Sequence, residues 1–473
     1  MATTSQAAFR RQVRNFVVVW IGITVVLGAV TFIAIYMTYP QLVPGGEGDL
    51  RSNAALPTAM TPVAVVPTAT RTPTQTPPPT SAAAVTAAVS AEAEAVVAQV
   101  ATNEPVATPT PLPVDVRRFQ LGVQVQVSYD NMAGWMDVAA NQLSVKWVKM
   151  QVRWEDIETE RGTYDWFYLD TYLPAAQAEG EQVLISVVTA PAWAREPGVN
   201  LDAHGPPADP NDYANFVVAI MERYPHMVHA VEVWNEMNLD REWTSTGGLS
   251  AANYVELLRT TYQAVKAVDP GVIVVSGALS PTGVSDGVTA LDDFVYLDQL
   301  IAAGMLNYAD CVGAHHNGYN ISPEYTWDNV PPDPSATFQG AWNTPHHSWS
   351  FRSTLETYVD KIALAGGDQS LCVTEFGWPS AEGLEGVRQG FEFANDNTLE
   401  EQRDFTVLAL EFMSDPENKV QLAFLWNLNY GAQAGWAVDN DNVPYSIIGP
   451  NFVFRPVFDA VRDWNRAYEA TFQ

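Results

Sequence analysis

Cysteine and positive charge are both scarce in this sequence. Only two of its 473 residues are cysteines, Cys311 and Cys372, which excludes a disulfide framework and a thiolate zinc site. Both fall in predicted strands and are interpreted as small buried side chains, which could form a disulfide only if those strands are neighbours. Lysines and arginines number 24 against 54 aspartates and glutamates, giving a net charge of −30. Such an acidic chain is not expected to bind nucleic acid and suits a neutral substrate.

Aromatic residues are absent between Tyr39 and Phe119. Within this stretch, residues 52–113 hold eleven of the 32 prolines, together with many threonines and alanines. Such a segment cannot bury enough apolar surface to offset the entropy lost on ordering. Residues 40–113 are therefore predicted to form a disordered linker. The acidic and basic residues of the first 113 positions cancel, so the net charge belongs to residues 114–473.

Charged residues are also absent from residues 16–39, a run rich in Val, Ile, Leu and Gly. As a helix, this run would rise about 36 Å, which is enough to cross a bilayer. Three arginines precede it, which predicts a cytoplasmic N-terminus at residues 1–15, a single-pass anchor in the cell membrane and an extracellular remainder. The alternative is a cleaved signal peptide, whose apolar core is usually shorter, about 7–15 residues.

From residue 114 onward, short apolar runs alternate with amphipathic stretches. Eight strands, each followed by a helix or a long loop, predict an α/β fold of the (β/α)8 TIM barrel type over residues 114–473. An open doubly wound sheet would need a Gly-rich phosphate loop after its first strand, and the sequence has none there. Strands are predicted at 119–127, 145–152, 182–188, 229–235, 272–277, 310–315, 370–375 and 421–427, and helices at 131–143, 211–224, 250–267, 291–303, 351–365, 398–414 and 455–467.

Two of these strands end in a glutamate, Glu236 after strand four and Glu375 at the end of strand seven. The carboxyl ends of strands four and seven face each other across a barrel mouth, so the two carboxylates can converge. Glycoside hydrolysis needs such a pair, because one group protonates the leaving oxygen while the other attacks or activates water. The structural alternative is a buried ion pair of either glutamate with Arg153 or Lys149.

The motifs around these glutamates, VEVWNEMN at 231–238 and VTEFGWPS at 373–380, resemble the clan A retaining glycoside hydrolases, also called the 4/7 superfamily. The resemblance covers residues 114–473 and implies that Glu236 is the acid/base and Glu375 the nucleophile. It also implies carboxyl groups about 5–5.5 Å apart and a covalent glycosyl-enzyme, with a β-linked glycan as substrate. We expect a monomer that uses no cofactor and no metal.

The same resemblance implies several substrate-binding residues. Arg153, at the end of strand two, would place a positive charge beside Glu375, and Asn235 would bond the sugar 2-hydroxyl. Trp426, at the end of strand eight, would be a platform for a sugar ring. Two further tryptophans are candidates that core packing would also explain, Trp193 and Trp378.

A general acid must carry a proton before it reacts, so Glu236 is expected to rest partly protonated. The expected causes of a raised pKa are the apolar ring of Trp234 and the negative charge of Glu375. Glu232 lies four residues earlier on the same strand, roughly 13 Å deeper at about 3.3 Å per residue, and is expected to be a hydrogen-bonded structural group. Asp240 and Arg241 are expected to pair with each other.

Strand six departs from the family pattern. Many relatives place a tyrosine that bonds the nucleophile two residues after a histidine, whereas here Asn317 follows His315 at that spacing and Tyr319 comes later. Either Tyr319 reaches back through a reshaped loop, or the tyrosine role is absent. His315 is either a sugar ligand or a buried structural histidine. The strand-three sequence lacks the histidine common in cellulase-like family 5 and resembles β-xylosidase-like family 39, so the subfamily stays open.

Other residue patterns in the sequence give little support to an esterase or a metal site. Residues 283–287 match the G-x-S-x-G esterase motif but lie beyond the end of strand five, and we interpret them as a loop. The histidine pairs at 315–316 and 346–347 are not expected to bind metal, because neighbouring residues of a strand project to opposite faces. Two alternatives to hydrolysis use the same barrel: a non-catalytic carbohydrate-binding protein, and a transglycosylase with the same two glutamates.

Overall fold

Eight parallel strands close into a barrel in sequence order in the computed structural model of this chain, which describes residues 118–472. Each strand is hydrogen-bonded to the next, and the eighth pairs with the first. The predicted TIM barrel is confirmed, and the open doubly wound sheet is excluded. The strands are β1 (Gln120–Gln124), β2 (Trp147–Arg153), β3 (Gln182–Val188), β4 (Ala230–Val233), β5 (Ile273–Ser276), β6 (Cys311–Asn317), β7 (Ser370–Gly377) and β8 (Val420–Leu425).

Ten α-helices among the described residues surround or cap this barrel. The first continues into a π-helical turn, Val138–Leu143, and two are single turns at the mouth, after β2 and β8. The helices are α1 (Met132–Asp137), α2 (Trp154–Ile157), α3 (Phe167–Ala178), α4 (Pro210–Arg223), α5 (Ala251–Val268), α6 (Asp293–Ala302), α7 (Phe351–Leu364), α8 (Leu399–Ser414), α9 (Tyr430–Ala434) and α10 (Pro456–Ala470).

Helix α5 shows why these segments are helical. Ser250 precedes its first turn and accepts a hydrogen bond from the Asn253 amide, a cap that contributes about 1 kcal/mol. Its buried residues recur every three or four positions, so a single face packs on the barrel. They are Ala251, Tyr254, Val255, Leu257, Leu258, Thr261 and Val265.

Side chains that point into the barrel form two successive layers. The lower layer is apolar and includes Trp147, Leu184 and Phe424. Cys311 and Cys372 belong to it and form a disulfide with Cα atoms 5.8 Å apart, because β6 and β7 are neighbours. The interpretation of these cysteines as free small side chains is therefore replaced by the disulfide.

Two residues further along the strands, the inward side chains become polar. Lys149 follows Trp147 on β2, Ser186 follows Leu184 on β3, and Glu232 lies in the same layer on β4; all three are fully buried. A polar layer at this depth carries the floor of the barrel mouth, where the active site of such a fold lies.

None of the helices within residues 118–472 is long and apolar enough to span a bilayer. The predicted membrane anchor at 16–39, the cytoplasmic segment at 1–15 and the linker at 40–113 lie outside the described residues.

Candidate active site

A cavity of about 400 Å³ opens at the carboxyl ends of the strands. Both predicted catalytic residues, Glu236 and Glu375, line it. The remaining lining is mostly polar or aromatic, which suits a ligand rich in hydroxyl groups. It consists of Gln126, Gln151, Arg153, Tyr168, Asn235, Arg241, Asn317, Phe391, Trp426, Tyr430, Asp441, Asn442 and Tyr445.

An irregularity in the pairing of β6 with β7 turns Glu375 toward this cavity. Ala314 pairs with Val373, but the next residue, His315, pairs with Glu375, so Thr374 has no partner in the register. Such a bulge reverses the alternation of side chains beyond it. As a result Thr374 and Glu375 both reach groups inside the barrel: Thr374 donates a hydrogen bond to Glu232, and Glu375 contacts Lys149.

The end of β4 holds Glu236 in an uncommon backbone conformation. Trp234 has φ 73° and Glu236 has φ 45°, values in the left-handed region that non-glycine residues seldom adopt. Surrounding contacts hold this segment: the Glu236 amide donates to Ala278 O, and the Trp234 indole donates to Glu242 O. Strained backbone of this kind is concentrated at functional sites, where neighbouring structure fixes it.

His315 lies between the two carboxylates. Its Nδ1 atom is 3.3 Å from Glu236 Oε1 and 3.9 Å from Glu375 Oε2, so these two oxygens are no farther apart than the sum of those distances. Burial opposes a charge on this ring, but the negative charge of Glu375 and the hydrogen bond with Glu236 raise the pKa of His315. His315 is thus a buried histidine that connects the two carboxylates, and its role as a sugar ligand stays a prediction.

The cation in contact with Glu375 is Lys149. Its fully buried Nζ lies 3.0 Å from Glu375 Oε1 and 3.5 Å from Glu232 Oε2. Glu232 also accepts hydrogen bonds from Thr374 Oγ1 and the Ala278 amide, as expected for a structural carboxylate. The ion pair considered as the structural alternative is therefore present for Glu375, and it coexists with a carboxylate that reaches the cavity.

Arg153 makes a different contact from the expected one. It pairs with Glu155 and Asp156 at the rim of the cavity, and its side chain is half-exposed. The expectation that it supplies the charge beside Glu375 is wrong, because the acidic residues of the next turn are closer partners. Arg153 still lines the cavity, so its role in substrate binding stays a prediction.

Arg241 pairs with Glu236 rather than with Asp240. Its Nη2 lies 2.9 Å from Glu236 Oε2, and 69% of its side chain is exposed. Burial alone would raise the pKa of Glu236, but the hydrogen bond and charge of His315 and the charge of Arg241 lower it to about 2. Contrary to expectation, the pKa of Glu236 is therefore lowered rather than raised.

Asn317 takes the place that relatives give to a tyrosine. Its side-chain amide donates a hydrogen bond of 3.3 Å to Glu375 Oε2. Tyr319 instead packs away from the carboxylates, stacked on Phe338 and edge-on to Phe393. Of the two alternatives for strand six, the structure shows the second: the tyrosine does not contact the nucleophile position.

The other predicted substrate-binding residues separate into two groups. Asn235 and Trp426 line the cavity as expected, and Asn235 Oδ1 accepts a long hydrogen bond of 3.4 Å from Gln151. Trp378 is buried against Phe351, and its indole donates to a backbone carbonyl. Trp193 packs edge-on to Trp154, outside the cavity. Neither Trp193 nor Trp378 lines the cavity, and the contacts of both rings fit core packing, the alternative given for them.

The two histidine pairs differ in where their rings point, because one pair lies on a strand and the other at a 3₁₀ turn. On β6, His315 faces the carboxylates while His316 turns outward to Ser348 O. His346 and His347 precede and begin a 3₁₀ turn, so their ring centroids lie only 4.1 Å apart and both approach Asp292. These three are the only metal-ligand cluster within the described part of the chain.

A hydrogen bond argues against metal binding by that cluster. His346 Nδ1 accepts from the Ser348 amide, which puts the proton on Nε2, the nitrogen facing Asp292. A protonated nitrogen cannot ligate a metal. The absence of a metal therefore stays a prediction.

Sequence reasoning missed several lining residues because they lie outside the strands. Arg241 and Phe391 lie in loops, Tyr445 ends a 3₁₀ turn, and Tyr168 lies in the first turn of α3, which was not among the predicted helices. Asn317 was placed at the tyrosine position and Lys149 was considered as an ion-pair partner, but neither was predicted as a cavity or catalytic residue. The available signal for Lys149 was its position two residues after Trp147, on a strand whose alternate residues point into the barrel.

No protein-family model matches the sequence, and no curated protein matches it. Solved structures do match. A family 39 glycoside hydrolase from the gut symbiont Bacteroides cellulosilyticus WH2 has a TM-score of 0.54 at 19% identity, over 75% of this chain and 65% of that chain. A glucosidase from Croceicoccus marinus has a TM-score of 0.50 at 15% identity, over 75% and 69% of the two chains. The GH39 enzyme from Xanthomonas axonopodis pv. citri has a TM-score of 0.50 at 17% identity, over 76% of this chain and 68% of that chain.

This chain thus spans less than two thirds of the first of these structures. At such identities the likeness shows a shared fold. The resemblance drawn from the two glutamate motifs is confirmed at that level, because these structural neighbours are glycoside hydrolases with the same barrel.

Proposed function

We propose that this protein is a glycosidase that hydrolyses β-linked glycans with retention of configuration. The observation that carries the proposal is the meeting of two strand-end carboxylates, Glu236 and Glu375, at His315 Nδ1 in an open cavity. Retaining enzymes hold their carboxyl groups about 5–5.5 Å apart, and a shared neighbour within 3.9 Å supports a short separation. The glycosidase folds of the structural neighbours also support it.

In the proposed first step, the Glu375 carboxylate attacks the anomeric carbon while Glu236 donates a proton to the departing glycosidic oxygen. A covalent glycosyl-enzyme forms. In the second step, Glu236 accepts a proton from water, whose oxygen attacks the same carbon and releases Glu375. Lys149 and Asn317 each contact one Glu375 oxygen, so they orient the carboxylate for both steps.

Glu236 must gain a proton before the first step, although the free site favours its ionised form. The exposed side chain of Arg241 provides a route. A sugar that occupies the cavity above Glu236 displaces this guanidinium and removes both its charge and nearby water. Each change raises the pKa of the carboxyl group.

The test is hydrolysis of a panel of nitrophenyl β-glycosides by the wild type, Glu375→Ala and Glu236→Gln. We expect activity in the wild type and a loss of at least about 10³-fold in Glu375→Ala. Azide should restore turnover of Glu375→Ala and give the α-glycosyl azide. Glu256→Gln, an exposed glutamate on α5, is the matched control. Unchanged activity in Glu375→Ala would refute the assignment, and product analysis separates hydrolysis from transglycosylation.

We also propose that the barrel works outside the cell, tethered by residues 16–39 through the linker at 40–113. The apolar run and the arginines before it support this placement. The Cys311–Cys372 disulfide also supports it, because disulfides persist mainly in oxidising compartments. Protease treatment of intact cells should remove the barrel. A barrel protected until the membrane is opened would refute the orientation.

A further inference from the structure

A second cavity, of about 300 Å³, adjoins the candidate active site. The two cavities share two lining residues, Arg153 and Tyr168. The second cavity lies over the carboxyl ends of β1 and β2, because its other lining residues follow these strands in the chain. They are Tyr129, Asp156, Ile157, Asp165 and Phe167.

One wall of this cavity is a pair of aromatic rings that face solvent. Tyr129 and Phe167 stack with their centroids 5.2 Å apart and their planes 14° from parallel. They are 62% and 61% exposed. The pair therefore presents flat apolar surface at the edge of the barrel mouth. Aromatic faces of this kind pack against the C–H faces of sugar rings, as predicted for the tryptophans of the site.

Polar groups border the aromatic wall. Arg153 Nε lies 3.1 Å from Asp156 Oδ2, and Asp165 Oδ1 accepts a hydrogen bond from the Phe167 amide. Arg153 and both carboxylates thus offer donors and acceptors beside an apolar face. Tyr168 marks the boundary with the first cavity, where its hydroxyl donates to Gln151 O. This mixture suits a ligand with apolar faces and hydroxyl edges.

We propose that this second cavity is a subsite for a further sugar unit of the glycan whose scissile bond lies between Glu236 and Glu375. The inference rests on the proposed function and deepens it, because it makes the substrate an oligosaccharide or polysaccharide. Continuity with the catalytic cavity identifies the occupant: a chain that fills the first cavity and passes Tyr168 meets the Tyr129–Phe167 wall next.

The experiment compares kcat/KM on nitrophenyl glycosides of one sugar unit with values on the matching β-1,4-linked oligosaccharide glycosides, in the xylo, gluco and manno series. The variants are Tyr129→Ala and Phe167→Ala. Phe472→Ala is the matched control, because Phe472 is also exposed and packs on an aromatic ring, but follows the C-terminal end of α10 at the opposite end of the barrel.

We expect both variants to lose about tenfold in kcat/KM on the oligosaccharide glycosides, which corresponds to about 1.4 kcal/mol, while their activity on one-unit glycosides is unchanged. The control should match the wild type on both. An equal ratio of long-chain to one-unit activity in all four proteins would overturn the subsite.

Binding separates failure of the subsite from failure of the proposed function. Calorimetric titration with the same oligosaccharides measures their affinity for the single variant Glu375→Gln and for the double variant Glu375→Gln/Tyr129→Ala. This measurement needs no turnover. Weaker binding in the double variant supports the subsite. Equal binding in both proteins overturns it. A wild type that binds these chains through Tyr129 but cleaves none of them refutes the glycosidase proposal and leaves a glycan-binding cleft.

Discussion

The ammonium group of Lys149 lies 3.0 Å from a carboxylate oxygen of Glu375 at a position from which solvent is excluded. It also lies 3.5 Å from Glu232, so one buried cation serves two carboxylates. Neutral donors also stabilise the two carboxylates: Asn317 at Glu375, and Thr374 and the Ala278 amide at Glu232. This contact links the stability of the barrel to the geometry of the site.

Replacing Lys149 with methionine should destabilise the protein strongly. The change leaves two buried carboxylates without a cation, which costs about 3–5 kcal/mol when one partner of a buried pair is removed. Urea denaturation at neutral pH measures the change in the free energy of unfolding. Lys146→Met is the control, because Lys146 is exposed and should cost less than about 1 kcal/mol. Equal stability of Lys149→Met and wild type would contradict the role of the cation.

Replacing Arg241 with alanine should shift the pH dependence of activity. The charge of Arg241 helps to lower the pKa of Glu236, so its removal raises that pKa. In the proposed mechanism, activity requires protonated Glu236 and falls as pH rises through this pKa. The alkaline limb of the kcat/KM profile should therefore move to higher pH. Arg259→Ala, on the outer face of α5, should leave the profile in place. A limb that stays fixed in Arg241→Ala would show that the guanidinium does not control the acid.

Acid should destabilise the barrel through a buried histidine at the start of β4. Burial lowers the pKa of His229 to about 4, whereas an unfolded histidine titrates near 6.5. The unfolded chain therefore binds a proton that the folded chain excludes. Stability is fully present above pH 6.5 and falls by up to about 1.4 kcal/mol per pH unit as the pH drops toward 4.

The variant His229→Gln tests this contribution, since glutamine keeps an acceptor for the Val183 amide but carries no titrating ring. Its free energy of unfolding should depend less steeply on pH between 6.5 and 4. His204→Gln replaces a more exposed histidine and should keep the wild-type slope. If His229→Gln and wild type lose stability in parallel, other groups control the acid transition.

The Cys311–Cys372 disulfide should stabilise the folded barrel by about 2–4 kcal/mol. The bond joins positions 61 residues apart and restricts the unfolded chain accordingly. Urea unfolding with and without dithiothreitol measures the effect. The double variant Cys311→Ala/Cys372→Ala should be less stable than the oxidised protein and insensitive to the reductant. Identical curves for the wild type in both conditions would indicate that the bond contributes nothing.

The barrel was predictable because its signal is local and repeated. Strands buried on both faces, such as β3, read as continuous apolar runs, and the predicted bounds of this strand agree with the structure. Helix α3 was not among the predicted helices, since Pro174 interrupts its centre. Its buried residues nevertheless recur at helical spacing, which was the available signal. They are Leu169, Tyr172, Leu173 and Ala176.

The site was predictable only in part. Strand order and the glutamate motifs placed Glu236 and Glu375 at one mouth, because that inference needs only the topology of the barrel. The partners of these carboxylates depend on reach and register instead. Arg241 reaches Glu236 from a loop, and Lys149 contacts Glu375 through the barrel interior. The Lys149 pair was considered only as a structural alternative, and the Arg241 contact does not follow from spacing along the chain.

The unpaired residue Thr374 gives β7 one more inward side chain than a regular strand in the same register would have. In a regular strand that pointed Cys372 into the barrel, the residue three positions later would point toward the surrounding helices. The extra residue lets Thr374 and Glu375 both enter the barrel, one toward Glu232 and the other toward Lys149. A chain without Thr374 would keep Glu375 opposite His315 in an unbroken register, so what the bulge adds is a second inward hydroxyl that anchors the buried carboxylate below the mouth.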